Sequence, residues 1–228
     1  MRLSHLAAVV AAPIVLALPA PAWARDDQQI WTTGAANVKL SDSWRLQEEV
    51  VGRFSDNRNG LYEIEANTLL GYRLNKKVTI WAGYTHDPQY SEGDFTAMER
   101  RLREQVTFDN VAQLGPGKLS FRVRTEQRWR SNADGTGWRL RPYVKYSVPF
   151  RKGAKTSLTL SSEFFVDLNT TPFQKQAGVE RMRNLIAVNT PLTKNLNAEI
   201  GYLNQYGFVR HGDDTIDHVA SVSLIVSL

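Results

Sequence analysis

The sequence predicts an all-β protein, a closed antiparallel transmembrane β-barrel of about ten strands, or twelve if the N-terminal segment contributes two more. Three observations predict it. Apolar and polar residues alternate with period two in segment after segment. The segments run to about 10–14 residues, long for soluble sheets but suited to a tilted strand crossing a bilayer. Short turns and longer polar loops alternate between them, as in outer-membrane barrels with periplasmic turns and external loops.

The alternation is cleanest over residues 118–130. Leu119, Phe121, Val123 and Trp129 share one face with Thr125 and Gln127, while Arg122, Arg124, Glu126, Arg128 and Arg130 take the other. A helix would scatter these residues around its circumference; a strand separates them. Residues 138–150 repeat the pattern, with Trp138, Leu140, Pro142, Val144, Tyr146, Val148 and Phe150 opposite Arg139, Arg141, Tyr143, Lys145 and Ser147. Residues 61–74 set Ile64, Ala66, Leu70 and Tyr72 against Glu63, Glu65, Asn67 and Arg73. Further strands are expected at 43–54, 77–86, 96–108, 156–167, 179–191, 196–208 and 216–228.

Asn75-Lys76-Lys77 and Thr193-Lys194-Asn195 read as tight turns; 55–60, 87–95, 131–137, 168–176 and 209–215 read as long loops. The segment 109–117 is a longer connection on the short-turn side. Aromatics such as Trp44, Tyr72, Trp129, Trp138 and Tyr202 fall near strand ends, where an interfacial girdle places them. The last strand ends with Ala220, Val222, Leu224, Val226 and Leu228 on one face, a pattern resembling the assembly signal of outer-membrane barrels. Ten strands is an even count that returns both ends to the periplasm.

Residues 1–24 read as a cleaved signal peptide. Arg2 is the positive head, 6–18 is an apolar run broken by Pro13, and Ala22-Trp23-Ala24 is the cleavage site, with cleavage after Ala24. Residues 25–228 then form a single barrel domain exported to the outer membrane of a Gram-negative cell. Within it, 25–42 is either an N-terminal periplasmic or lumenal segment or further strand.

Gln29-Ile30-Trp31, Trp81-Ala82-Gly83-Tyr84, residues 122–128 (RVRTEQR), Arg139-Leu140-Arg141, Glu163-Phe164-Phe165 and Gly201-Tyr202-Leu203 span nearly the whole chain. On these pieces the sequence resembles a bacterial family of uncharacterised, predicted outer-membrane β-barrel proteins. The resemblance implies fold and location, and no activity.

Two segments strain the barrel. In 96–108, Arg100 and Glu104 share a face with Leu102, Val106 and Phe108, while Arg101 and Arg103 take the other; Glu48 sits among Trp44, Leu46 and Val50. A lipid-facing Arg costs about 2–4 kcal/mol at the midplane. An amphipathic helix carrying Met98, Leu102 and Val106, or a β-bulge, would repair the first segment. A soluble periplasmic β-barrel binding protein would accommodate both.

With apolar faces toward lipid, the lumen carries Arg122, Arg124, Arg128, Arg130, Arg139, Arg141 and Lys145 against Glu126, with Glu49, Glu63, Glu65, Glu163 and Asp167 on other inner faces. Two readings follow. Arg–carboxylate pairs fill the lumen, because an unpaired buried charge is costly; or the basic wall forms a narrow anion-preferring passage or a site for small acidic solutes. The first gives a structural or envelope role.

An outer-membrane lipid- or peptide-directed hydrolase is the enzymatic alternative, with His211 and Asp213 in the last long loop and His86 at a strand end as general-base candidates. No nucleophile is placed beside them. The absence of cysteine excludes a disulfide framework and a thiolate metal site. No Gly-rich phosphate motif occurs. The 28 basic and 23 acidic residues are interspersed, and strict alternation splits the RVRTEQRWR arginines from its aromatics, so nucleic acid is not an expected partner. The expected partners are outer-membrane lipid and the barrel-assembly machinery; no cofactor or metal is expected.

Overall fold

Period-two alternation gives each strand a polar and an apolar side, and a sheet that sorts them must hide one. A computed structural model describes residues 25–228. The leader and its Ala24 cleavage site lie outside the described residues. The described residues form eleven strands: β1 (Arg25–Lys39), β2 (Trp44–Ser55), β3 (Gly60–Arg73), β4 (Val78–Ser91), β5 (Asp94–Leu114), β6 (Gly117–Arg130), β7 (Ala133–Pro149), β8 (Ser157–Asp167), β9 (Gly178–Pro191), β10 (Leu196–Gly207) and β11 (Thr215–Ser227). They close into one barrel in sequence order. Ten neighbouring pairs are antiparallel, and β1 closes against β11 in parallel, Arg25 opposite Thr215 and Asn37 opposite Ser227.

The closure gives eleven strands, between the ten and twelve expected, and it makes the closing pair parallel where an all-antiparallel barrel was expected. Residues 28–39 lie in β1, paired with β11 as far as Asn37 and with β2 from Gln29 onward, and are a strand of the wall. With an odd count, the described chain starts at one end of the barrel and finishes at the other. The Leu228 amide donates to the Asn37 carbonyl (2.9 Å) and Lys39 donates back to the Leu228 carbonyl (2.8 Å), fixing the last strand at the turn end. The run Thr32 to Ala36 (TTGAA) carries no large apolar side chain, so its alternation is faint.

The loops are also shorter than the polar composition suggests. Segment 87–95 is mostly strand: β4 runs to Ser91, β5 starts at Asp94, and Glu92 and Gly93 turn between them with φ of 54° and 89°. Positive φ at both central residues matches the right-handed twist of a hairpin. Segment 109–117 is likewise strand except for a turn at Gly115 and Pro116, and β7 begins inside 131–137. Only 168–177 and 208–214 remain as long loops at that end of the barrel, and 150–156 is the longest connection at the other. Strands that outrun the apolar band are polar on both faces, and composition alone reads them as loops.

The ambiguous segment 96–108 is strand throughout, with Glu99, Arg101, Arg103 and Gln105 inward and Arg100, Leu102, Glu104, Val106 and Phe108 outward. Its bulge lies beyond it, between Phe108 and Ala112, where Asn110 takes φ of 49°. The outward acids are tied to neighbouring strands: Thr68 donates to Glu48 (2.6 Å) and Thr125 to Glu104 (2.7 Å).

The interior is the polar side. Among the described residues, 25 polar or charged side chains are buried against 11 apolar ones, and 29 large apolar residues are exposed. Every strand contributes at least one to that outer surface, from Ile30 on β1 through Leu70, Leu102, Val123 and Ile200 to Val222 on β11. The small apolar core, Trp31 with Leu203 and Val219, lines the inner wall beside the β1–β11 seam. Trp81 lies flat against the inner wall over Gly71, where a Cβ would stand 2.5 Å from the indole.

Candidate functional site

Strand alternation aims arginines and carboxylates of six strands at one level of the lumen, where four contacts to aromatic rings on two further strands close a ring. On β2, Arg53 stacks on the Trp31 ring of β1 (4.5 Å to the centroid) and its Nη2 donates to Glu65 of β3 (2.9 Å). Arg103 of β5 reaches past β4 to the same Glu65 (2.6 Å) and to Glu126 of β6 (3.2 Å). Arg141 of β7 donates to Glu126 (2.7 Å) and lies over the Phe165 ring of β8 (4.2 Å). Arg183 of β9 lies over Phe165 (4.5 Å) and over Trp31 (4.6 Å), returning to the start.

Each link is of a kind that holds a charge away from water: charge-assisted hydrogen bonds to carboxylates, or guanidinium over an aromatic face. The side chains of Arg103 and Glu126 are 0% exposed, and Val219 on the apolar wall is 0% exposed as well. These side chains are shielded from solvent at the middle of the barrel. An eight-stranded interior is just filled by side chains, and these eleven strands fill theirs with arginine, whose reach exceeds that of an aliphatic side chain.

Above the ring, toward the loop end, Glu99 gathers three cations: Arg101 (2.6 Å), Arg128 (2.8 Å) and Arg130 (2.7 Å). Arg139 pairs with Asp167 (2.7 Å) and Glu180 (3.1 Å). On the turn side of the ring, Glu163 pairs with Arg141 (3.0 Å) and Arg122 (2.5 Å). The loop after β8 bends inward over the loop-end layer. Gln174, 2% exposed, accepts from Arg128 (3.1 Å) and donates to the Trp138 and Asn169 carbonyls (3.0 and 2.8 Å). Gly137 makes room for it, since a Cβ there would stand 2.7 Å from the Gln174 amide oxygen. What remains open is a cup of about 650 Å³, floored by Glu65, Arg141 and Phe165 and rimmed by loop residues such as Arg58, Phe173 and Val209.

Of the lumenal residues expected from sequence, Arg122, Arg124, Arg128, Arg139, Arg141, Glu126, Glu63, Glu65 and Glu163 are gathered into this network. Lys145 lies opposite Ser120 and Ser161, lower in the barrel, with no ion-pair partner among the described residues. His86 is on the outer face of β4 opposite Arg100, while His211 and Asp213 are exposed in the last loop, so the structure does not bring these three together. Next to them, Asp214 accepts from Tyr206 (2.5 Å) and from the Val209 amide (2.8 Å).

Residues 28–216 match the family described as a protein of unknown function (DUF2490). The chain belongs to that family. An uncharacterized protein of Methylorubrum extorquens is 28% identical over 201 residues, covering 88% of this chain and 87% of its own. The solved siderophore receptor PirA from Pseudomonas aeruginosa aligns over 77% of this chain and 36% of its own, with 12% identity and a TM-score of 0.28.

The lumen of this DUF2490 protein holds key residues that alternation did not single out. Arg53, Arg101, Arg103 and Arg183 complete the network, with Trp31 and Phe165 as their platforms. Glu63, Glu65 and Asp87 bring one oxygen each within 4.8 Å, the spacing of a cation site. The guanidiniums of Arg53 and Arg101 already occupy that position as counter-charge, so the three carboxylates offer no ligand set to a metal.

Proposed function

We infer that this DUF2490 protein is an outer-membrane β-barrel whose lumen is plugged, and that its role is structural or in envelope maintenance rather than conduction. The observation that carries the reading is the inversion of polarity: charged residues fill the interior and every strand exposes apolar side chains outward. A barrel in water would need its exterior polar, and apolar surface on this scale requires lipid or another apolar partner. The ring of guanidiniums, carboxylates and aromatic rings across the mid-lumen, with Arg103 and Glu126 fully buried, supports closure over the anion-preferring passage, and the separation of His86 from His211 and Asp213 gives the hydrolase alternative no assembled site.

Planar-bilayer recording of the refolded mature chain tests this reading. Heat-modifiable mobility on a detergent gel with a silent bilayer is the expected result. Discrete anion-selective openings would overturn the closed lumen, and solubility in buffer without detergent would overturn the membrane location.

A further inference from the structure

The loop-end cup carries more positive than negative charge. Ten basic and six acidic side chains line it. The surplus is not spread evenly, because four guanidiniums crowd the Phe165 ring: Arg141 at 4.2 Å, Arg183 at 4.5 Å, Arg139 at 5.6 Å and Arg181 at 5.8 Å. Three of the four have carboxylate partners. Arg141 has Glu126 and Glu163, Arg139 has Asp167 and Glu180, and Arg181 has Glu180 (2.9 Å).

Arg183 has none within 4.0 Å among the described residues. Its Nε donates to Gln205 (2.7 Å), and its flat faces meet Trp31 and Phe165. These contacts fix the plane of the guanidinium and leave both Nη groups without a protein partner, though neither is sealed from the cup. A guanidinium held edge-on to a cavity presents a fork of donors that fits a carboxylate or phosphate. Across the cup Arg130 repeats the arrangement on a smaller scale: its Nε is committed to Glu99 and it lies over Phe173 (5.5 Å).

We propose that the cup is a binding site for a small organic polyanion, a polycarboxylate or phosphate ester, seated with one oxyanion on Arg183. An anion is the partner that the charge arrangement lacks, because a partly buried cation among three others is stabilised by a counter-charge that the barrel wall does not provide. The volume suits a ligand of metabolite size. Tyr62 and Phe173 in the walls offer apolar surface to its carbon frame. The site opens at the loop end and is closed below by the ring, so the ligand binds without crossing. In that one respect the proposal rests on the plugged-lumen reading.

Calorimetric titration of the refolded mature chain in detergent at low salt tests it, with citrate and pyrophosphate as the two probes and choline as the cationic control. Saturable binding of either anion, weakened at least tenfold in Arg183→Gln and only partly restored in Arg183→Lys, which keeps the charge but not the fork, is the expected result. Failure of both anions to bind at about 10 mM, or unchanged binding in Arg183→Gln, would overturn the site. Citrate preferred over pyrophosphate assigns a carboxylate ligand, and the reverse assigns a phosphate ester. Should Arg183→Gln not refold, thermal unfolding of the wild type decides instead: a rise in Tm with citrate or pyrophosphate but not with choline supports the site, and no rise refutes it. Conductance is read on the same preparation. Binding with a silent bilayer supports both readings, binding with anion-selective current keeps the site and removes the plug, and a silent bilayer without binding keeps the plug and removes the site.

Discussion

Arg103 and Glu65 meet across an intervening strand, Nη2 to Oε1 at 2.6 Å, with the Arg103 side chain wholly buried. Neighbouring strands place inward side chains side by side, but only a chain as long as arginine passes over β4 to the acid beyond it. The same guanidinium donates through Nε to Glu126 and through Nη1 to Asn67. One residue of β5 thus holds β3 and β6 at fixed separation from inside, adding a cross-lumen tie to the hydrogen bonds of the wall.

Arg103→Met is therefore expected to destabilise the barrel by about 3–5 kcal/mol, the usual result of removing one member of a buried ionic network. The loss follows from what stays behind, with Glu65 and Glu126 each keeping a buried charge with one cation fewer. Urea unfolding in detergent, followed by the heat-modifiable gel shift, measures it. A shift below 1 kcal/mol would mean that water reaches the ring, and the plug would have to be abandoned.

Gln174 is the hinge on which the loop after β8 folds into the cup. Its side chain ties Arg128 to the Trp138 and Asn169 carbonyls, and a buried amide stripped of such partners costs about 1–3 kcal/mol. Gln174→Leu should leave the barrel closed but release the loop. Limited trypsin digestion reads this directly, because the exposed Lys175 adjoins the pivot: cleavage after Lys175 should become several-fold faster, with the heat-modifiable band retained.

Much of this architecture was legible in the sequence. Strands β6 and β7 alternate so regularly that Arg124, Glu126 and Arg141 could be placed in the lumen from spacing alone, and they are there. Arg101 and Arg103 were harder, because outward Arg100 and Glu104 give β5 charge on both faces and hide its phase. Arg183 lies in a stretch, VERMRNLIAVN, where outward Asn184 interrupts the apolar face and inward Leu185 interrupts the polar one. The parallel β1–β11 seam had no local signal, since strand direction at closure follows from the parity of the whole set. Loop inturning at Gln174 depends on partners 36 and 46 residues away, Trp138 and Arg128, and no window of sequence contains them.

The last loop should respond to acid. Tyr206 and the Val209 amide donate to Asp214 and hold its carboxyl below the usual value. A lowered folded-state pKa means that the stabilisation is present at neutral pH and is lost as pH falls through the ordinary carboxylate range, near 4, and below. Because Asp214 is only half-buried and lies in a loop, the effect is local ordering of residues 208–214 rather than global stability. Pepsin cleavage within the loop, beside Phe208, should accelerate as pH falls below about 4, and Asp214→Asn should show faster trypsin cleavage after Arg210 at neutral pH. Equal rates for the variant and the wild type at neutral pH would show that the Tyr206 bond does not order the loop.

Ile200 offers the sharpest test of what surrounds the barrel. It lies on the outer face in the middle of β10 and is 62% exposed, among the most exposed of the large apolar residues. A surface isoleucine in water can become arginine at a cost within about 0.5 kcal/mol. The same change in hydrocarbon costs about 2–4 kcal/mol near the midplane, because no backbone or solvent partner is available to the guanidinium there. Ile200→Arg, unfolded by urea from lipid vesicles, should fall in the second range, while Lys194→Arg in the neighbouring turn should change nothing. A neutral Ile200→Arg would place the outer wall in water, and the apolar side chains on all eleven strands would then have to be covered by a protein partner.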